Sequence, residues 1–183
     1  MLNKKENKNS KSVRKNRLKS EKVDKILELF YENPNRKFTV REIEKLTKIP
    51  RATIHDYLKI LKRQNLITQD NKAIENLVFK TKKINYFVER IVNSGLIKEL
   101  IKKLNPSCVI LFGGIRKGDS VKESDIDIFI ESHFKKQIDI KKYEKKLKHK
   151  IQLFIETDIN NLQPNLFNNV VNGIKLFGSF KIK

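Results

Sequence analysis

Apolar residues first fall into a helical rhythm at Val23, Ile26, Leu27 and Phe30, spaced i, i+3, i+4 and i+7, and Asn33-Pro34-Asn35 stops the run. Thr39 and Glu42 form a T-x-x-E capping box ahead of Val40, Ile43 and Leu46, which predicts a second helix. Ile49-Pro50-Arg51 breaks that helix, and Pro50 suits the start of a third, with Ile54, Leu58 and Leu61 on one face. The third helix ends near Gln64-Asn65, Leu66-Ile67 returns to the core, and Thr68-Gln69-Asp70-Asn71-Lys72 supplies turn chemistry for a small hairpin. Lys83 to Leu104 reads as helix broken at Asn93-Ser94-Gly95. Ser94 can cap the second part, where Ile97, Leu100, Ile101 and Leu104 repeat at helical spacing.

Beyond Asn105-Pro106 the pattern changes. Val109-Ile110-Leu111-Phe112 is a continuous apolar run of strand length that ends in Gly113-Gly114. Ser124-Asp125-Ile126-Asp127-Ile128-Phe129-Ile130 alternates as a strand does. Asp125 and Asp127 share one face with their α-carbons about 6.6 Å apart, and Ile126, Ile128 and Ile130 take the other. A helix over Ile138 to Lys150, a strand over Ile151 to Ile155, a helix over Pro164 to Asn172 stopped by Gly173, and a last strand over Ile174 to Phe177 complete the pattern.

Composition adds partners and setting. The 183 residues suffice for one ordinary domain or two small ones, and 38% hydrophobic residues are enough for real cores. No apolar run approaches the roughly 18 to 20 residues that span a bilayer, and the basic N-terminus has no apolar segment behind it. Neither export nor membrane insertion is expected. A single cysteine, Cys108, in the apolar context Cys-Val-Ile-Leu-Phe, reads as a buried strand residue and fits a reducing, cytoplasmic setting. The net charge of +20 attracts polyanions, nucleic acid first, although an AT-rich genome would enrich lysine in the same way. Met1 to Lys22 carries nine Lys or Arg against two Glu and almost no apolar residue, which predicts a disordered basic arm.

Two features carry candidate chemistry. Paired glycines at a strand end let a phosphate meet bare backbone N–H groups, and a tight turn without a ligand would use the same residues. Asp125 and Asp127 can point at shared cations, and oxygen ligands of this kind suit magnesium, which bridges to nucleotide phosphates. An Asp-x-Asp is a common accident in a chain with eight Asp. Its position is more informative, because two acids on an apolar strand follow a glycine pair that ends another. Buried carboxylates without partners are costly. His133 and His149, near the helix between the strands, read as surface histidines.

The run Leu111-Phe112-Gly113-Gly114-Ile115-Arg116-Lys117-Gly118-Asp119, followed by Ser124-Asp125-Ile126-Asp127, resembles the minimal nucleotidyltransferase domain of the DNA polymerase beta superfamily, over about Ser94 to Lys183. The resemblance implies a small α/β domain with a mixed sheet. It assigns Asp125 and Asp127 as catalytic metal ligands for two Mg2+ ions. Gly113, Gly114, Lys117 and Ser124 would hold a nucleoside triphosphate, with ATP the first candidate. Two departures stand out. Gly114 replaces the family's phosphate-binding serine, and the third carboxylate falls on Gln152. Glu156 has the same parity but lies about 13 Å further along an extended strand.

Three short helices followed by a hairpin resemble a winged helix-turn-helix domain over about residues 22–80, an arrangement that precedes such nucleotidyltransferase domains in prokaryotic and especially archaeal proteins. In that family the third helix enters the major groove. Its face outside the core here offers Arg51, Thr53, His55, Lys59 and Lys62 as DNA contacts, while Asp56 repels phosphate. A domain used only for packing or dimerisation has the same pattern.

The expected organisation is therefore α+β: a basic arm over 1–21, a winged helix-turn-helix over 22–80, a linker helix over 81–93 and a nucleotidyltransferase domain over 94–183. Two functions follow. One is magnesium-dependent nucleotidyl transfer to a protein, RNA or small molecule, with an antitoxin-type role toward a toxin-like partner as one form. The other is a DNA-binding regulator whose second domain has lost catalysis and binds nucleotide or a partner. Duplex DNA, a toxin-like protein and a second copy of the chain are the partners considered, with no membrane.

Overall fold

The computed structural model describes residues 21–134 and 136–183. The basic arm expected over 1–21 lies, apart from Glu21, outside the described residues. The chain divides into two compact units between Asn76 and Leu77.

In the N-terminal unit, residues 21–32 are helical (α1), followed by α2 (Val40–Thr47) and α3 (Arg51–Arg63). Asn33 closes α1 with its side-chain amide on the Leu29 carbonyl, 3.2 Å. The capping box forms in full: the Thr39 hydroxyl accepts from the Glu42 N–H at 3.2 Å, and the Glu42 carboxylate accepts from the Thr39 N–H at 2.8 Å. Ile26, Phe30, Phe38, Ile43, Ile54, Leu58 and Leu61 build the core, with Phe30 and Phe38 edge to face at 5.4 Å. Tyr57 joins them and is nearly as buried as its aliphatic neighbours. Leu46, expected on the buried stripe of α2, is 54% exposed, next to exposed Lys45, so that Ile43 is the residue the helix buries. The hairpin is reduced to one bridge, Ile67 to Ala73, around a turn in which Thr68 N–H donates to the Lys72 carbonyl at 2.8 Å.

The C-terminal unit opens with α4 (Leu77–Ser94), which starts six residues before the expected Lys83. It buries Phe79, Lys83, Phe87, Ile91 and Ser94 along one stripe. The segment expected as a linker helix is thus the middle of an 18-residue helix packed into this unit. Gly95, at φ +90°, separates it from α5 (Leu96–Leu104), and the Ser94 hydroxyl accepts from Leu96 N–H at 3.0 Å. Then come β1 (Cys108–Phe112), α6 (Gly113–Lys117), β2 (Ile126–Glu131), α7 (Lys141–Leu147), β3 (Ile151–Glu156), a 3-10 turn (Ile159–Asn161), α8 (Pro164–Val171) and β4 (Ile174–Gly178). α7 is shorter at both ends than the expected 138–150, since Lys148 at φ 62° stops it after Leu147.

The four strands form a mixed sheet in the order β3-β2-β1-β4, with β1 antiparallel to both neighbours and β2 parallel to β3. Cys108, Ile110, Phe112 and Phe129 on one face pack with Ile159 and Val170, so α8 and the 3-10 turn cover that side. On the other face Val109, Leu111, Ile126, Ile128 and Ile130 are all buried. Burying five aliphatic side chains completely supplies roughly 1.5–3 kcal/mol each, which fixes the strand register and hence the parity of the acids.

Candidate active site

Asp125 immediately precedes β2 and Asp127 is its second residue. The register places Asp127 beside Phe112 of β1 and beside Gln152 of β3. Both acids are half-buried, whereas Ile126 and Ile128 are fully buried, as period-two alternation requires. Gly113 and Gly114 open the short helix α6 at the end of β1. At φ +72°, a Cβ built on Gly113 would lie 2.0 Å from Asp127 Oδ2, so only glycine lets the backbone pass this carboxylate. Gly114 is different. The nearest atom to its Cβ position is 3.8 Å away, in Ser120, which leaves room for the serine that the family carries.

The electrostatics are one-sided. The Asp127 carboxylate has no hydrogen-bond or ion-pair partner among the described residues, and burial first, then the charge of Asp125, pushes its carboxyl above the ordinary carboxylate range. Asp125 Oδ2 accepts a hydrogen bond from Gln152 Nε2 at 2.5 Å. Gln152 therefore reaches the site, but as a neutral donor in the place where the family resemblance implies a third acid. Glu156 is paired with Glu131 in the register, four residues beyond Gln152. No group of three His, Cys, Asp or Glu that could hold a metal occurs among the described residues. Two carboxylates without a compensating cation fit a hard divalent ion such as magnesium, and Gln152 adds no charge to hold a second one.

Ser124 is used locally. Its hydroxyl accepts from Val121 N–H at 2.8 Å, closing the turn that leads into β2. Its carbonyl accepts from His149 Nδ1 at 2.7 Å. His149 is not on the surface as expected: it is 5% exposed and stands edge to face on Phe87 of α4, with centroids 5.4 Å apart. His133 is exposed. Lys117 is exposed at the end of α6. The loop between α6 and β2 is tied to α4 by Lys80, which pairs with Asp119 at 2.5 Å, and by buried Lys83, whose ammonium donates to the Ser120 carbonyl. Lys83 lies four residues from both Phe79 and Phe87, so a lysine in an apolar i+4 stripe was the signal for this support.

In the N-terminal unit Arg51, His55 and Lys59 lie exposed on α3 and Thr53 is half-buried. Arg51 Nε pairs with Glu44 of α2 at 2.6 Å, and Lys62 donates to the Gln69 carbonyl at 2.8 Å. Thr53, His55 and Lys59 are the candidates without such tethers among the described residues.

The family model for the nucleotidyltransferase domain matches residues 93–176. That span begins near the end of α4, contains β1, β2 and β3 with both acids, and ends within β4. The match supports a nucleotidyltransferase domain in the C-terminal half and suggests nucleotidyl transfer as its chemistry. No curated protein and no solved structure matches the chain.

Proposed function

We propose that the C-terminal unit binds a magnesium–nucleoside triphosphate, ATP being the first to test, and transfers its nucleotidyl group to an acceptor hydroxyl with release of pyrophosphate. The acceptor is a protein side chain, an RNA end or a small molecule. The observation that carries this reading is the pair Asp125 and Asp127, gathered on one sheet face with the bare backbone of Gly113 against Asp127. Asp125 and Asp127 would hold the metal; Gly113 and Gly114 would offer backbone N–H groups to phosphate, and the exposed Lys117 at the end of α6 would add a charge. When bound, magnesium offsets the charge that develops on the phosphoryl oxygens.

A second reading is favoured by one contact, the Gln152 amide on Asp125. An amide cannot take the place of a third charge, and it occupies one ligand oxygen. A unit that binds nucleotide without turning it over, joined to a DNA-binding N-terminal unit, would be a regulator. In either reading α3 is the proposed DNA-reading element. A toxin-like protein, in an antitoxin-type pair, and a second copy of the chain are further proposed partners.

Labelled nucleoside triphosphates, magnesium and cell extract separate the two readings, with wild type compared to Asp125→Asn and Asp127→Asn. Label transferred by the wild type and lost by about a hundredfold or more in both variants supports the enzyme. Equal transfer by all three proteins rejects the site. Magnesium–ATP binding without transfer, lost in both variants, supports the regulator. For α3, Lys59→Ala is expected to weaken duplex binding and lower the salt slope by about 1, with Arg51→Ala weaker in effect because of Glu44. Unchanged binding by the double variant would remove α3 from the DNA contact.

A further inference from the structure

The lysines of the C-terminal unit are not evenly spread. α5 and the segment from Lys141 to Lys150 together carry nine lysines against two glutamates. α8 carries no charged residue at all. A genome bias toward lysine would act on every exposed helical position alike, so this segregation needs another cause.

The two basic segments are brought together. Glu99 of α5 is reached by Lys103 at 3.1 Å and by Lys142 of α7 at 3.9 Å, so both helices converge on one carboxylate. Lys146 of α7 donates to the carbonyls of Asn93 and Ser94, at 3.2 and 3.0 Å, beside the start of α5. The acids of this surface are already engaged. Glu99 serves two lysines, which hold its carboxyl below the ordinary range chiefly through the Lys103 hydrogen bond, and Glu144 accepts from Ile151 N–H at 3.0 Å. Asp139 lies at its edge and accepts from Lys141 N–H. Lys98, Lys102, Lys141 and Lys145 are exposed, and their ammonium groups make no hydrogen bond or ion pair among the described residues.

We propose that the α5–α7 surface is a second nucleic-acid contact, on the C-terminal unit itself, which takes the phosphodiester backbone of a duplex without reading its sequence. Charge complementarity identifies the partner. The lysines lie at i, i+4 spacing on each helix, as Lys98 and Lys102 or Lys141 and Lys145 do, and so present several ammoniums in a row. The aromatic side chain of this surface, Tyr143, is buried, which removes base stacking and with it a preference for single strands. None of the large exposed apolar residues of the described chain belongs to α5 or α7, so the surface has no wedge to insert into lipid. This contact does not depend on α3 or on the carboxylate site.

The test uses the full chain with fluorescent duplex DNA and duplex RNA of two unrelated sequences, titrated over a range of salt. The triple variant Lys102→Gln, Lys141→Gln, Lys145→Gln is compared with a control of equal charge change, Lys122→Gln, Lys175→Gln, Lys181→Gln, all at exposed positions. The expected result is weaker binding by the first triple, alike for both sequences, with the slope of log affinity against log salt reduced by about 2 to 3, at roughly 0.9 per phosphate contact. The control triple should move it by less than about 1. Loss on DNA, on RNA or on both supports the surface, and the ratio identifies the duplex it serves. Equal effects of the two triples would show a general field of the whole chain and overturn the proposal. So would an unchanged slope in the first triple.

Discussion

At the scale of single residues, the site turns on Gln152. Its amide holds Asp125 at 2.5 Å while Asp127 has burial and a neighbouring charge against its ionised form. Replacing the amide with an acid, Gln152→Glu, adds a charge at this point of β3 without lengthening the side chain. Magnesium affinity, read by calorimetry without nucleotide, should rise by about tenfold, the low end of the about 1.5–3 kcal/mol that a charge-assisted ligand contributes, because the position is exposed. If nucleotidyl transfer appears or increases with it, Gln152 is the brake; unchanged metal affinity would show that the side chain lies outside the cation's reach. The acids themselves were legible in sequence, because strand parity alone sets which side chains share a face. Gly113 was legible as a close approach, though its neighbour proved to be Asp127. His149 was not legible: Lys148 and Lys150 flank it, and its burial comes from Phe87, distant in sequence. The contact of Gln152 with Asp125 depends on the parallel register of β2 and β3, which no local pattern encodes.

Elements differ in this respect: a start marked by a capping box is encoded locally, whereas the start of α4 is set by packing. The Thr39–Glu42 box was readable as four letters and forms as read. Glu42 is held down at about 2, first by the Thr39 N–H, then by the Thr39 hydroxyl and Arg36. Because the folded value lies below the ordinary 4.5, this stabilisation is fully present above pH 4.5 and is lost as pH falls toward 2. Thr39→Ala should cost about 1 kcal/mol at pH 7. It should also flatten part of the fall in thermal stability between pH 4.5 and 2, and a variant curve parallel to wild type would mean that the backbone N–H at position 39 and Arg36, both kept in the variant, hold Glu42 without the hydroxyl. By contrast, the start of α4 was misplaced because Leu77 and Val78 are exposed and break the apolar rhythm before Phe79. Lys83 then hid the stripe that links Phe79 to Phe87.

For the whole molecule, the division at Asn76 and Leu77 makes a prediction about fragments. A chain of residues 77–183 keeps Lys80, Lys83, Phe87 and Arg90 against the α6–β2 loop, His149 and the Leu147 carbonyl. It should be monodisperse and melt cooperatively. A chain of residues 94–183, the domain expected from sequence, loses that helix and bares the apolar surface under Phe79, Phe87 and Ile91. It should aggregate or bind hydrophobic dye, as measured by light scattering and fluorescence. Equal behaviour of both fragments would show that α4 is dispensable to the fold.

Cys108 gives this architecture a built-in clock. It is the chain's single cysteine, fully buried at the start of β1 between β2 and β4, and burial with the nearby Glu131 pushes its thiol up to about 11. Thiolate chemistry is therefore shut off while the central strand is in place. A thiol reagent added in excess counts only the openings that expose β1, so its uptake times the unfolding of the C-terminal unit without a signal from the N-terminal one. Any ligand of the carboxylate site that stabilises β2 against β1 should slow that clock in proportion to its binding.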